Sequence, residues 1–290
     1  MFSWIPLSII SAISDSFHVF YVKKRTKILE PVFISWFISL FLAIFLFPLA
    51  LWKGAHPTEL FWVVLVARTV LDTIATILYV TAIQRSDISL SVPLVAFTPL
   101  LIVLFEFLFT GLIPSIFGVL GIVFIVGGVY LLYSDGSYRN ILDPFKAMNK
   151  NQGSKFMLFV AVIWSITSTL HKIAIHETNA VFYAGIGSLF LFLSLSVTIL
   201  ILRGRNSFSF VSVDSIKQVI PLGVFGVITL LSQMFAQGMA PASYVISIKR
   251  TSILFSAILG ALLLNESIRK RIIPILFILT GVIAISFSAV

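Results

Sequence analysis

Residues 134–155 read SDGSYRNILDPFKAMNKNQGSK and form the one long polar, basic stretch of the sequence. The chain on either side of it is dominated by apolar runs. A bilayer core of about 30 Å needs roughly 20 mostly apolar residues per crossing helix. Measured that way, the segments before the stretch are about 3–22, 31–52, 60–83, 88–109 and 114–133. Those after it are about 156–176, 179–202, 216–239, 242–264 and 270–289. The fold class expected is an all-α membrane protein of ten transmembrane helices, five on each side of a linker. Proline inside several spans (Pro48, Pro93, Pro99, Pro221) does not argue against this, because neighbouring membrane helices can re-satisfy the freed backbone groups.

Composition supports the reading. The chain has 290 residues, 59% of them hydrophobic and 11% charged, with a mean hydropathy of +1.10. A soluble domain carries about a quarter charged residues, so this chain has too little polar surface to face water on all sides. The absence of cysteine excludes disulfides, thiolate metal sites and cysteine nucleophiles. No cofactor and no metal is expected. The first apolar run is not read as a cleaved signal, since it lacks a basic leader and runs directly into Lys23-Lys24-Arg25-Thr26-Lys27.

The formal charge of +9 is distributed by side. Loops after segments 1, 3, 5, 7 and 9 carry 15 basic residues, against 2 in the others (Lys53 and Lys172). Short basic loops stay in the cytoplasm. The linker is therefore expected to be cytoplasmic, and both termini outside, in a prokaryotic plasma (inner) membrane. Orientation alone accounts for most of the positive charge, so no nucleic-acid partner is needed. The expected partners are the lipid bilayer and a small-molecule substrate.

The two halves resemble each other. At an offset of 149, Ser16 matches Ser165, Lys23 matches Lys172, Val32-Phe33 matches Val181-Phe182, and Ser39-Leu40-Phe41 matches Ser188-Leu189-Phe190. Gly128-Val129 matches Gly281-Val282 at an offset of 153. Five crossings per copy turn the second copy upside down. The organisation is thus a first repeat over 1–133, a basic linker over 134–155 and a second repeat over 156–290. Inverted repeats commonly frame a midplane site that opens to alternate sides.

The run Ser256-Ala257-Ile258-Leu259-Gly260-Ala261-Leu262-Leu263-Leu264-Asn265-Glu266 ahead of Gly281-Val282, and Pro99-Leu100-Leu101 ahead of Gly111, Gly121 and Gly127-Gly128-Val129, carry a family likeness. The whole chain resembles the drug/metabolite transporter superfamily, in its ten-helix EamA-type branch. Leu112, Asn265 and Pro274 depart from that pattern. The resemblance implies a cavity framed mainly by helices 1, 3, 4, 6, 8 and 9. It also implies that helices 5 and 10 pack the repeats together or form the face of a homodimer.

Charges inside the spans are the functional candidates, because an ionised group at the bilayer centre costs from about 2.5 kcal/mol upward and faces a cavity or a partner. Lys249 and Arg250 lie about 12 Å inside the ninth span at 1.5 Å per residue, too deep for both to snorkel. The first repeat has Val95-Ala96 at the corresponding place, so the pair belongs to one half only. Two cations side by side can grip a carboxylate or phosphate, Arg with a bidentate fork. Ile248-Lys249-Arg250-Thr251 is similar to the Lys-Arg pair that plastid-type phosphate translocators of this superfamily use to bind substrate phosphate. A purely structural ion-pair role is the alternative.

Arg68 and Asp72, four apart, read first as an internal salt bridge, and second as an anion contact beside a proton site. Asp15 and His18, three apart, offer a proton relay or a helix–helix hydrogen bond. Glu106 lies a few residues from its helix end, within reach of the interface. Tyr79, Gln233, Gln237 and Tyr244 are candidate cavity contacts or interhelical glue. Three deep cations against three deep acids sum to zero, so the sequence leaves open whether a cation is free for an anion. No nucleotide-binding loop or nucleophile elbow occurs. His171 and His176, beside Glu177, lack zinc-protease spacing and read as a satisfied or solvated pair near a helix end. An enzyme is not expected. The function expected is alternating-access transport of a small organic metabolite, anionic or phosphorylated. An exporter of neutral or zwitterionic compounds such as amino acids, and a non-transporting membrane partner protein, are the alternatives.

Overall fold

In the computed structural model the described residues are 4–85, 94–133, 152–204, 211, 213–255 and 272–288. They form ten helices: α1 (Trp4–Arg25), α2 (Pro31–Lys53), α3 (Glu59–Arg85), α4 (Thr98–Thr110), α5 (Ile116–Tyr133), α6 (Gln152–Glu177), α7 (Ala180–Arg203), α8 (Val213–Met239), α9 (Ala242–Lys249) and α10 (Ile272–Ser288). Most of the linker (134–151) and the run from Ser256 to Glu266 lie outside the described residues. Six helices (α1, α2, α3, α6, α7 and α8) are by length and composition able to cross a membrane. Rows of large apolar side chains such as Ile44, Phe45, Leu104, Phe107, Val197 and Ile201 face outward, which suits lipid and not water.

The helices pair so as to relate the two repeats. The most extensive contacts are α5 with α10, α2 with α7, α3 with α6, and α1 with α8. Exchanging each helix for its counterpart five places on leaves that pattern unchanged, the first two pairs mapping onto themselves and the last two onto each other. This is what a two-fold relation between inverted repeats requires. The family-like glycines explain the first pair. A Cβ on Gly121 would stand 2.7 Å from the Gly281 carbonyl oxygen, and one on Gly128 would stand 2.8 Å from that of Pro274. At the offset of 153, Gly121 answers to Pro274 and Gly128 to Gly281, so these two close approaches are one contact seen twice.

Without a hydrophobic force between helices in lipid, small and polar residues hold the others together. On α1, Ser11 Oγ donates to the Thr229 carbonyl (3.0 Å), Ser14 Oγ to that of Phe225 (2.8 Å), and His18 Nδ1 to that of Leu222 (3.1 Å), three steps up one face of α8. Gly185 on α7 lets the α2 backbone come close, its missing Cβ position being 2.3 Å from the Leu46 carbonyl oxygen. Lys23 and Lys172, matched in the repeat, do matching work. Lys23 Nζ donates to the Ile83 carbonyl near the end of α3 (2.6 Å), and Lys172 Nζ to the Ala240 carbonyl just past α8 (2.9 Å).

The fourth helix of each repeat is interrupted. Leu94 and Val95 are helical, Ala96 and Phe97 turn, and α4 begins at Thr98. In the second repeat α9 ends at Lys249, Arg250 and Thr251 turn, and 252–255 are helical again. The continuous ninth helix expected from the sequence is therefore broken at its charged pair. The two breaks meet, because Arg250 Nη2 donates to Thr98 Oγ1 at 3.3 Å.

Candidate functional site

A cavity of about 210 Å³ lies between the repeats. Its charged lining is Asp15 and His18 from α1, Arg68 and Asp72 from α3, His171 from α6, and Lys249 with Arg250 at the end of α9. Helices α2 and α7 also contribute (Ser35, Ile38, Ser39, Leu42, Ser188 and Leu191), and among the described residues α4 supplies none. Of the framing helices implied by the family resemblance, 1, 3, 6, 8 and 9 line the cavity, and residues 88–93 of the fourth span lie outside the described residues.

Two ion-pair systems occupy the cavity. In the first, Arg68 Nε donates to Asp72 Oδ2 at 2.7 Å and Arg68 Nη1 to the Gly187 carbonyl at 2.9 Å. His171 Nε2 donates to the same Asp72 oxygen at 3.2 Å. His171 is thus buried in the cavity wall, not part of a solvated pair near the helix end; its partner is 99 residues away, beyond any local pattern. Gly187 makes room for the guanidinium, since a Cβ there would stand 2.7 Å from Arg68 Nη1. In the second system, Lys249 Nζ donates to Gln233 Oε1 at 2.7 Å and stands 3.8 Å from Asp15 Oδ1. Asp15 is therefore turned to Lys249, while His18 is engaged with the α8 backbone. Among the described residues no hydrogen bond joins the two into a relay.

Glu106 settles the charge count. It is fully buried (0% exposed), not interfacial. Its Oε1 accepts from the Ala242 N–H (2.7 Å) and its Oε2 from the Ser243 N–H (3.2 Å), so it caps the start of α9. That removes one acid from the cavity. Arg68, Lys249 and Arg250 then share the cavity lining with two carboxylates, Asp72 and Asp15. Arg250 makes no ion pair among the described residues. It donates to Thr98 Oγ1, its guanidinium sits 5.6 Å from the Trp164 ring centre, and its buried Nε has no partner. Trp164 packs against Tyr79 (ring centres 4.9 Å apart), giving the cation an aromatic wall.

The remaining candidates divide. Tyr79 and Gln233 line the cavity with the charged residues. Tyr244 does not; its hydroxyl accepts from the Ser115 N–H (3.1 Å) and its ring fills the space over Gly118. Gln237 lies outside the cavity lining and is fully buried.

A model of the EamA-like transporter family matches residues 2–134 and 151–287. The chain belongs to the EamA-like transporter family. The two matched stretches are the two halves that the contact pattern relates, so the EamA-like unit occurs twice in this chain. A solved structure titled only "Crystal structure of protein" shares the fold, with a TM-score of 0.73 over 99% of this chain and 98% of that one, at 16% identity. No curated protein matches the sequence. An EamA-like protein is an integral membrane transporter of small molecules, and the cavity lies where the two EamA-like units meet.

Proposed function

We propose that this transporter carries a small organic anion, and that Arg250, with Lys249, holds the substrate's carboxylate or phosphate. The observation that carries the reading is the Arg250 guanidinium, which among the described residues makes no ion pair and has a buried Nε without a hydrogen-bond partner, in a cavity where Arg68 and Lys249 already stand beside Asp72 and Asp15. A buried charge without a partner is costly, and an anion that accepts from Nε and Nη2 together removes that cost with the bidentate geometry Arg favours. Transport proceeds by alternating access, the two repeats rocking about the α5–α10 contact. The protein sits in a prokaryotic inner membrane with both termini outside the cytoplasm. The α5–α10 glycine face is occupied within the chain, so a homodimer uses another lipid-facing surface.

A thermal-shift panel of the purified protein tests the binding step, with inorganic phosphate, small mono- and dicarboxylates and short phosphorylated metabolites. At least one of these anions raises the midpoint, and Arg250→Ala abolishes that rise. An unshifted midpoint with every anion, or a rise that survives Arg250→Ala, contradicts the reading. Asp15 supports a second reading, a zwitterion such as an amino acid. Its carboxylate is in the same cavity at a loose 3.8 Å from Lys249 and is free to accept from an ammonium group. Asp15→Asn separates the two, because it weakens a zwitterion and spares an anion.

A further inference from the structure

Thr229, Gln233 and Gln237 stand four apart on α8, on one helical face. Thr229 and Gln233 line the cavity. Gln237, one turn further toward the end of α8, is 0% exposed, and neither its amide nitrogen nor its amide oxygen has a hydrogen-bond partner among the described residues. Ser243 Oγ, at the start of α9, is likewise fully buried without a partner. Buried polar groups are nearly always paired, and an unmet amide carries its whole desolvation penalty. A residue chosen for packing would be apolar here, as its neighbours Ala236 and Ala240 are.

Beyond Gln237, α8 ends at Met239 and the short turn Ala240-Pro241 leads into α9 at Ala242. Two charged side chains pin it from neighbouring helices. Lys172 of α6 holds the Ala240 carbonyl, and Glu106 of α4 holds the N–H groups of Ala242 and Ser243. We infer that this turn is a gate, closed in the present conformation, and that Gln237 and Ser243 are substrate-contact residues of the path behind it, paired with water or substrate when it opens. The inference rests on the carrier reading and extends the polar stripe of α8 from the cavity to the membrane face. On the proposed orientation that face is the outer one.

The absence of cysteine makes the test direct. Gln237→Cys gives a chain with one thiol, and full-length protein in both right-side-out and everted vesicles is treated with a small, charged methanethiosulfonate reagent. Ser168→Cys, in the cavity, and Ala50→Cys, in the tight α2–α7 contact, are the reactive and unreactive references. The Gln237→Cys thiol reacts slowly with Glu106 intact and at least tenfold faster from one face in combination with Glu106→Ala. A thiol that stays as inert as Ala50→Cys in both backgrounds overturns the path, and one that reacts equally fast in both overturns the latch.

Gln237→Leu is the companion measurement, since it does not depend on releasing the gate. Removing an amide with no partner raises the thermal midpoint in detergent. A lowered midpoint means the amide has a structural partner and is no waiting contact. Neither experiment uses a substrate, so failure here is distinguishable from failure of the anion assignment.

Discussion

Arg250 and Asp72 show how a buried charge can be left open or closed by its neighbours. Asp72 accepts from both Arg68 and His171, so its charge is matched within the protein. Asp72→Asn leaves the Arg68 charge uncompensated and should destabilise the protein by about 3 kcal/mol, read from unfolding in detergent. Replacing both partners, Arg68→Met with Asp72→Leu, should recover most of that loss, because an apolar pair needs no desolvation to be repaid. Arg250 behaves differently. Charge-assisted hydrogen bonds contribute about 1.5–3 kcal/mol, so Arg250→Ala should lower substrate affinity about 10- to 100-fold, and Arg250→Lys should recover only part of it by keeping the charge without the fork. The deep charges were legible one by one in the sequence, since any ionised residue inside a span stands out. Their partners were not. His171 meets Asp72 from another helix, and Glu106 caps a helix 136 residues away, separations over which a single sequence carries no pairing signal.

At the scale of the helix, ten spans could be read because lipid demands about 20 apolar residues per crossing, and the repeat showed in Lys23 and Lys172 and in the glycines near each end. The break in α9 left no such trace. Pro93 and Pro99 flank the break before α4, but no proline or glycine lies between 242 and 255, and the chain turns at Arg250 all the same. The α5–α10 contact is sensitive to substitution at its glycines. Gly281→Ala puts a methyl group 2.6 Å from the Gly121 carbonyl oxygen, and overpacking of this kind costs about 1–3 kcal/mol. A lowered thermal midpoint, with the vesicle-inserted protein still helical by circular dichroism, is the expected result. No change would mean that the two helices separate freely.

For the whole molecule, the contact pattern ties the two halves into one framework, and the lining of the cavity is drawn from both. Insertion is set by the basic loops, and a cysteine-free chain lets this be measured at two exposed positions. Ile28→Cys, beside Lys27, should label only from the cytoplasmic face, and Lys53→Cys, at the end of α2, only from the outer one. The opposite result would invert the assignment of the gate as well. Transport itself gives the most direct measurement of the central claim: counterflow of a radiolabelled small anion, taken from the thermal-shift panel, into proteoliposomes holding only the purified protein. The account predicts accumulation above protein-free liposomes that falls about tenfold or more in Arg250→Ala, consistent with losing one charge-assisted contact. Accumulation unchanged in Arg250→Ala would contradict it.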